Sequence, residues 1–348
     1  MNGFENFQLQ QFNLPHGIHI NARVASGSPS AARPPLFLLH GFPQSHVCWR
    51  RVAQQLQQQY FLVLPDLRGY GDSAQPLGVD DHSNYSKREM AADVVAVADA
   101  LGIADFFLAG HDRGGRVAHR LALDHPQRVR KLCVLDIAPT LAMHAATGPD
   151  FAQAYYHWFH LAQPYPLPEL MIAGCLRQYL HAKLGGWGAG GLGHIAAEDL
   201  AEYERCFMRQ GEHLYAKDGL NAAGQESREA GEPSLKQQQK QGEARLDVAR
   251  RLPAVHAACE DYRASSWSGI DIQHDRQSRA AGQRLSCEVL AAWGERGVVA
   301  RLFDVEGLWR AAAADGVAVR GELVPGVGHF IPEEAPEYTA DMLQEFFR

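Results

Sequence analysis

The chain alternates short, almost wholly apolar runs with stretches in which apolar residues recur every three or four positions. PLFLLHG (35–41), FLVLPD (61–66), DFFLAG (105–110) and KLCVLDI (131–137) are of the first kind and predict buried strands. VAQQLQQQY (52–60), REMAADVVAVADALG (88–102) and GGRVAHRLALDH (114–125) are of the second and predict helices, the middle one stopped by Gly102. Strands apolar on both faces, alternating with helices, build a parallel sheet covered on both sides. The series resumes at CEVLAAWGE (287–295) and VAVRGELVPG (317–326) and closes with a helix in PEYTADMLQEFFR (336–348). A mainly helical stretch lies between, with the glycine-rich GGWGAGGLG (185–193) between helices. The expected architecture is a doubly wound α/β core, 1–140 and 286–348, carrying an inserted helical cap, 141–285.

One part of that cap breaks the pattern. From 209 to 244 only Leu214, Tyr215, Leu220 and Leu235 carry large apolar side chains. So little apolar area does not offset about 1–2 kcal/mol of backbone entropy per ordered residue. A disordered insert over 209–248 is expected, and its composition would also suit a translated intervening sequence.

Elsewhere 46% hydrophobic residues suffice for a large core, and a formal net charge of −7 disfavours nucleic acid or an anionic membrane surface as partner. An anionic small-molecule substrate must then be captured by a few placed arginines or lysines. The six cysteines, at 48, 133, 175, 206, 259 and 287, have neither C-x-x-C spacing nor histidines at zinc-finger distances. Reduced thiols and no metal are expected. The N-terminus lacks the basic start and apolar stretch of a signal peptide, and no apolar run is long enough to span a membrane, so a soluble cytoplasmic protein is expected. The sequence leaves a homodimer open.

The most informative segment is DFFLAGHDRGGRVAHRLAL. A buried strand runs through Gly110-His111-Asp112-Arg113-Gly114 into a helix, the setting of a nucleophile elbow, where small residues flank a strained turn that exposes the central side chain. Here that side chain is a carboxylate. Aspartate suits attack on carbon, giving an alkyl-enzyme ester that water later hydrolyses. The plain alternative is an aspartate that merely caps the helix.

With HGFPQS (40–45), DLRGYGDS (66–73), VLDIAPT (134–140), YHWF (156–159), CEDYRA (259–264), WGERGVV (293–299) and GHFIPEEAPE (328–337), the elbow makes the chain resemble the α/β-hydrolase superfamily and, within it, the haloacetate (fluoroacetate) dehalogenases. The resemblance implies an α/β-hydrolase fold without metal or organic cofactor, and hydrolytic removal of halide from a small 2-halo acid. It makes Asp112 the nucleophile and His329 the base that activates water. Asp136 matches the acid that orients this histidine, while Glu295, after the next strand, stands where many other hydrolases keep theirs. Arg113 and Arg116, one helical turn apart at most from Asp112, would clamp the substrate carboxylate. His157, Trp158 and Tyr262 match the halide-binding positions and offer ring N–H and phenol O–H donors. The HGFPQS loop gives Phe42 a place to supply an oxyanion N–H or wall the pocket. An epoxide hydrolase would share Asp112, His329 and this loop and use Tyr155, Tyr156 or Tyr262 to protonate the opening ring; Arg113 counts against it. A catalytically inactive binding protein, its cap disrupted by the insert, is the other alternative. DLRGYGDS reads as a structural turn.

Overall fold

The computed structural model describes residues 3–209 and 248–348. The expected disorder of 209–248 falls, apart from its two end residues, outside the described residues.

Eight strands form one sheet: β1 Phe7–Asn13, β2 His19–Ala25, β3 Pro35–Leu39, β4 Phe61–Pro65, β5 Phe106–His111, β6 Val129–Leu135, β7 Glu288–Gly294 and β8 Val319–Val324. Their order is β1-β2-β4-β3-β5-β6-β7-β8, parallel from β4 to β8. Six of these strands are the apolar runs of the sequence. The other two, β1 and β2, form an antiparallel pair, and β2 joins β4 antiparallel. FQLQQFN buries chiefly Phe7, so as an edge strand it needs no continuous apolar run and its glutamines discourage further pairing.

β3, β4 and β5 are buried at every position. Each large apolar side chain there contributes about 1.5–3 kcal/mol by leaving water. The helix Arg113–Asp124 lies unusually close to β3 because residue 114 is glycine: a Cβ there would come within 2.4 Å of the His40 carbonyl. That approach holds the start of the helix, and so Asp112, against the loop following β3.

The loops at the carboxyl ends of the strands are fixed by buried polar groups. Asp66 accepts from the His46 backbone N–H (2.8 Å), from Asn21 Nδ2 (2.9 Å) and from the Asp72 N–H (3.1 Å), and lies 2.8 Å from His46 Nδ1. Arg68 makes two hydrogen bonds to Asp93, of 2.8 and 2.7 Å. DLRGYGDS thus braces the loop that carries Phe42.

Over the sheet, helices fill most of 140–207 and 253–264. A buried cluster ties this layer to the loop after β4: Arg263 bonds Glu169 and Glu260, Glu260 pairs with His82, and His256 Nε2 accepts from the Gly78 N–H. Glu169, His256 and Glu260 lie close enough to hold a metal ion. The Arg263 guanidinium already supplies the positive charge between the two carboxylates. The helix Ile270–Ala280, expected within the cap, packs against the helix Thr140–Ala145 and reaches the core as well, Arg120 donating to Ser278 at 3.1 and 3.0 Å. Its amphipathic pattern does not tell which surface it covers. No helix among the described residues is long and apolar enough to cross a membrane.

Candidate active site

Asp112 has φ 46° and ψ −115°, a conformation that costs a non-glycine residue on the order of 1–3 kcal/mol. Its side chain makes no capping hydrogen bond to the helix it precedes. Oδ2 instead accepts the Phe42 backbone N–H at 3.1 Å. Residue 41 must be glycine for this contact, because a Cβ there would stand 2.5 Å from Asp112 Cβ.

Asp112 Oδ1 faces His329 Nε2 at 3.9 Å, and Nε2 has no hydrogen-bond partner among the described residues. On the other side of the ring Nδ1 lies 2.6 Å from Asp136 Oδ2, while Asp136 Oδ1 accepts the Gly294 N–H at 3.1 Å. Glu295 is exposed and accepts the Gly326 N–H at 2.7 Å, with no contact to His329. Burial pushes the His329 pKa down, but the bond and charge of Asp136 and the charge of Asp112 outweigh it, and the pKa is raised. For Asp112 burial acts upward, whereas His329, His111, Arg116 and Arg113 act downward and prevail, so its pKa is lowered and it is a carboxylate at neutral pH.

The two arginines, alike in the sequence, differ in their surroundings. Arg113 donates through Nε to Asp261 Oδ2 (2.9 Å) and through Nη2 to Asp261 Oδ1, the Asp261 carbonyl (2.9 Å) and Ser265 Oγ (2.8 Å). Lys87 and Tyr70 also bond Asp261. Only Arg113 Nη1 is left without a hydrogen bond among the described residues. Arg116 has neutral partners alone: Thr140 Oγ1 (2.7 Å), the Ala138 carbonyl (3.4 Å) and Met143 Sδ (3.2 Å). Its Nε has no partner among the described residues, and its guanidinium lies 4.7 Å from the Trp158 ring centroid. Arg116 is therefore a buried cation near Asp112 without a carboxylate of its own among the described residues.

His157, Trp158 and Tyr262 are buried on the cap side of this centre. His157 stacks on Phe42 at 6.3 Å, and Tyr262 meets both rings edge-on at 5.4 and 5.5 Å. Arg113 lies over the Tyr262 ring at 4.3 Å. Burial and then the charge of Lys183 hold His157 well below the ordinary histidine range, so it is neutral, and Nδ1 lacks a partner among the described residues. Tyr155 is buried beside His157 and Trp158, and burial followed by the Asp136 charge raises its pKa.

Sequence reasoning overlooks Trp187. Its ring centroid lies 4.3 Å from that of His157 and 5.5 Å from that of His329, and its carbonyl accepts the His329 N–H at 2.9 Å. The signal available was one large ring within a run of glycines. Glu334 continues the same seam, accepting the Gly328 and Ala189 N–H groups on Oε2 at 2.8 Å each. A Cβ at Gly328 would stand 2.4 Å from the Trp187 carbonyl.

A second chain of polar groups runs behind His329. His111 Nε2 meets the His329 carbonyl at 2.8 Å, its Nδ1 lies 3.1 Å from the Gln44 amide, and that amide lies 2.5 Å from Glu333 Oε2. Burial lowers the His111 pKa to about 3, so the ring carries one proton, which Nε2 needs for the carbonyl. Nδ1 faces the Gln44 amide oxygen, and the Gln44 NH2 donates to Glu333 Oε2. Burial raises the Glu333 pKa to about 8, against the hydrogen bonds from Tyr203 and Gln44, so Glu333 keeps its proton at neutral pH. An unfolded glutamic acid releases its proton near 4.5, so the unfolded state loses it first and stability falls between about pH 4.5 and about 8. Glu333→Gln is expected to leave thermal stability at pH 5 nearly unchanged and to raise it at pH 9 by about 3–5 kcal/mol. Equal differences from wild type at the two pH values would mean that Glu333 is ionised in the fold.

The α/β-hydrolase fold profile matches residues 34–336. A fluoroacetate dehalogenase from Burkholderia sp is 35% identical over 343 residues, 99% of this chain and 94% of that protein. A soluble epoxide hydrolase from Corynebacterium sp. (strain C12) is 28% identical over 90% of each chain. A crystal structure of a protein described as an α/β hydrolase, from Nostoc sp PCC 7120, superposes with a TM-score of 0.80 at 41% identity over 99% of both chains. With its sheet order, its elbow and these relatives, the chain belongs to the α/β-hydrolase family of hydrolytic enzymes, on the fluoroacetate dehalogenase branch.

Proposed function

We propose that the protein hydrolyses fluoroacetate, or a related small 2-halo acid, to the 2-hydroxy acid and halide. The observation that carries this reading is Arg116: a buried cation without a carboxylate partner among the described residues, beside an ionised nucleophile. A neutral epoxide gives such a cation no role. The carboxylate of a 2-halo acid does, since two anions must be brought together for attack.

In this mechanism Asp112 Oδ1, the oxygen free of the Phe42 N–H, attacks the halogen-bearing carbon, and halide leaves with the bonding pair. Arg116 and Arg113 Nη1 hold the substrate carboxylate, while His157, Trp158 and Tyr262 turn donors toward the halide. Oδ2 becomes the ester carbonyl, already bonded to Phe42 N–H where negative charge will develop. His329, oriented by Asp136, takes a proton from water, the water attacks the ester carbon, and Asp112 is regenerated as the hydroxy acid departs. We place the protein in the cytoplasm, where its six free thiols stay reduced.

The test is incubation of purified protein with fluoroacetate, chloroacetate and styrene oxide, following halide and diol. Halide release from the acids without diol is expected. Diol alone would favour epoxide hydrolysis, for which buried Tyr155 and Tyr262 would be the acids. Arg116→Met should lower kcat/KM about 10²-fold for every 2-halo acid alike, as loss of a charge-assisted contact does. Trp158→Phe or Tyr262→Phe should cost about tenfold more in fluoride release than in bromide release, because fluoride depends most on donated hydrogen bonds. Equal losses across the halogens would remove these two from the halide site.

A further inference from the structure

Lys183 lies in the helix Leu176–Gly186 of the cap and is only 3% exposed. It forms no ion pair among the described residues. Its ammonium instead lies 3.9 Å from the ring centroid of Tyr156, 5.1 Å from that of Trp187 and 5.5 Å from that of Tyr179. Such contacts offset part of the cost of burying a cation but supply no counter-charge.

The polar groups around it are also unsatisfied. Tyr179 Oη, both ring nitrogens of His160 and His157 Nδ1 lack hydrogen-bond partners among the described residues. The rings of His160 and Tyr179 are 6.0 Å apart, and Trp187 bridges from Lys183 to His157 at 4.3 Å. The charge of Lys183 acts on both His157 and His160. The Tyr179 O–H and the single N–H of neutral His160, without acceptors among the described residues and beside an unpaired cation, match a small monovalent anion in charge and in hydrogen bonding. Burial brings the Lys183 pKa down to about 8, which leaves the side chain mostly cationic at neutral pH.

We propose that Lys183, with Tyr179 and His160, forms a second anion station behind His157 that receives the halide leaving the active site. The inference rests on the dehalogenase reading. Turnover there produces a small anion in a buried centre, and this cation lies beyond His157, bridged to it by Trp187. No bond is made or broken in the transfer; the halide moves as the ion already formed.

Bromide binding to the full chain without substrate, followed by quenching of intrinsic fluorescence at pH 7 in a Trp158→Phe background, tests the station apart from catalysis. That background weakens the assigned halide donors and leaves Trp187 beside Lys183 as reporter. Adding Lys183→Met should weaken bromide binding about tenfold, whereas Lys183→Arg should hold it within about threefold. Unchanged affinity in the Met variant, or equal weakening in the Met and Arg variants, would overturn the station. A chain that binds bromide through Lys183 yet releases no halide from any 2-halo acid would instead overturn the dehalogenase reading and leave the anion site standing.

Discussion

His329→Asn, given chloroacetate, is expected to react once and stop. Displacement needs only Asp112, whose carboxylate is held ionised, so one carboxymethyl group should accumulate as an ester on the Asp112 peptide with one equivalent of chloride released. Hydrolysis needs a base facing the ester, and Nε2 at 3.9 Å from Oδ1 is the one so placed. Steady-state turnover should fall at least about 10⁴-fold. Asp112→Ala should show neither label nor turnover. Mass spectrometry of the peptide and a chloride burst measure both, and an active Asp112→Ala enzyme would end the two-step mechanism.

The second large effect is expected from Asp136→Asn, about 10³–10⁴-fold in the hydrolytic step, with labelling of Asp112 preserved. The substitution is mild for the backbone: residue 136 has φ 51°, which asparagine adopts readily. Its amide, however, presents a donor to either the Gly294 N–H or the His329 Nδ1–H and so turns the imidazole toward the wrong tautomer. Glu295→Gln should leave rates within about twofold, its carboxylate being spent on the Gly326 N–H. A large loss in the Glu295 variant would reassign the orienting acid. Transient kinetics separates the steps, since ester formation should be spared in the Asp136 variant and ester breakdown should not.

How much of this was legible in the sequence follows from the range of the interactions. β3 and β4 announce themselves because strands buried on both faces are apolar throughout, and the elbow because its strand, turn and helix are contiguous. β1 does not, since a half-exposed edge strand alternates weakly, nor does β2, whose apolar residues are interrupted by Asn21 and Arg23. The difference between Arg113 and Arg116 is invisible locally: it depends on Asp261, 148 positions beyond Arg113 and on a different helix. Gln44 and Glu333 are 289 positions apart, so neither their contact nor the burial that holds a proton on Glu333 shows locally. Trp187 lies in a glycine-rich loop whose path no periodicity describes.

The seam between Trp187, Ala189, Gly328, His329 and Glu334 bears on how substrate is admitted. The peptide that carries the base is buttoned to the glycine-rich loop of the cap by the Trp187 carbonyl and by a carboxylate that both segments share. Lifting that loop like a hinged hatch would drag His329 away from Asp136, so loading and alignment of the base could not be separate events. Passage of substrate is better served by rings that swing aside one at a time while the backbone stays fastened, which keeps the base aimed through every cycle.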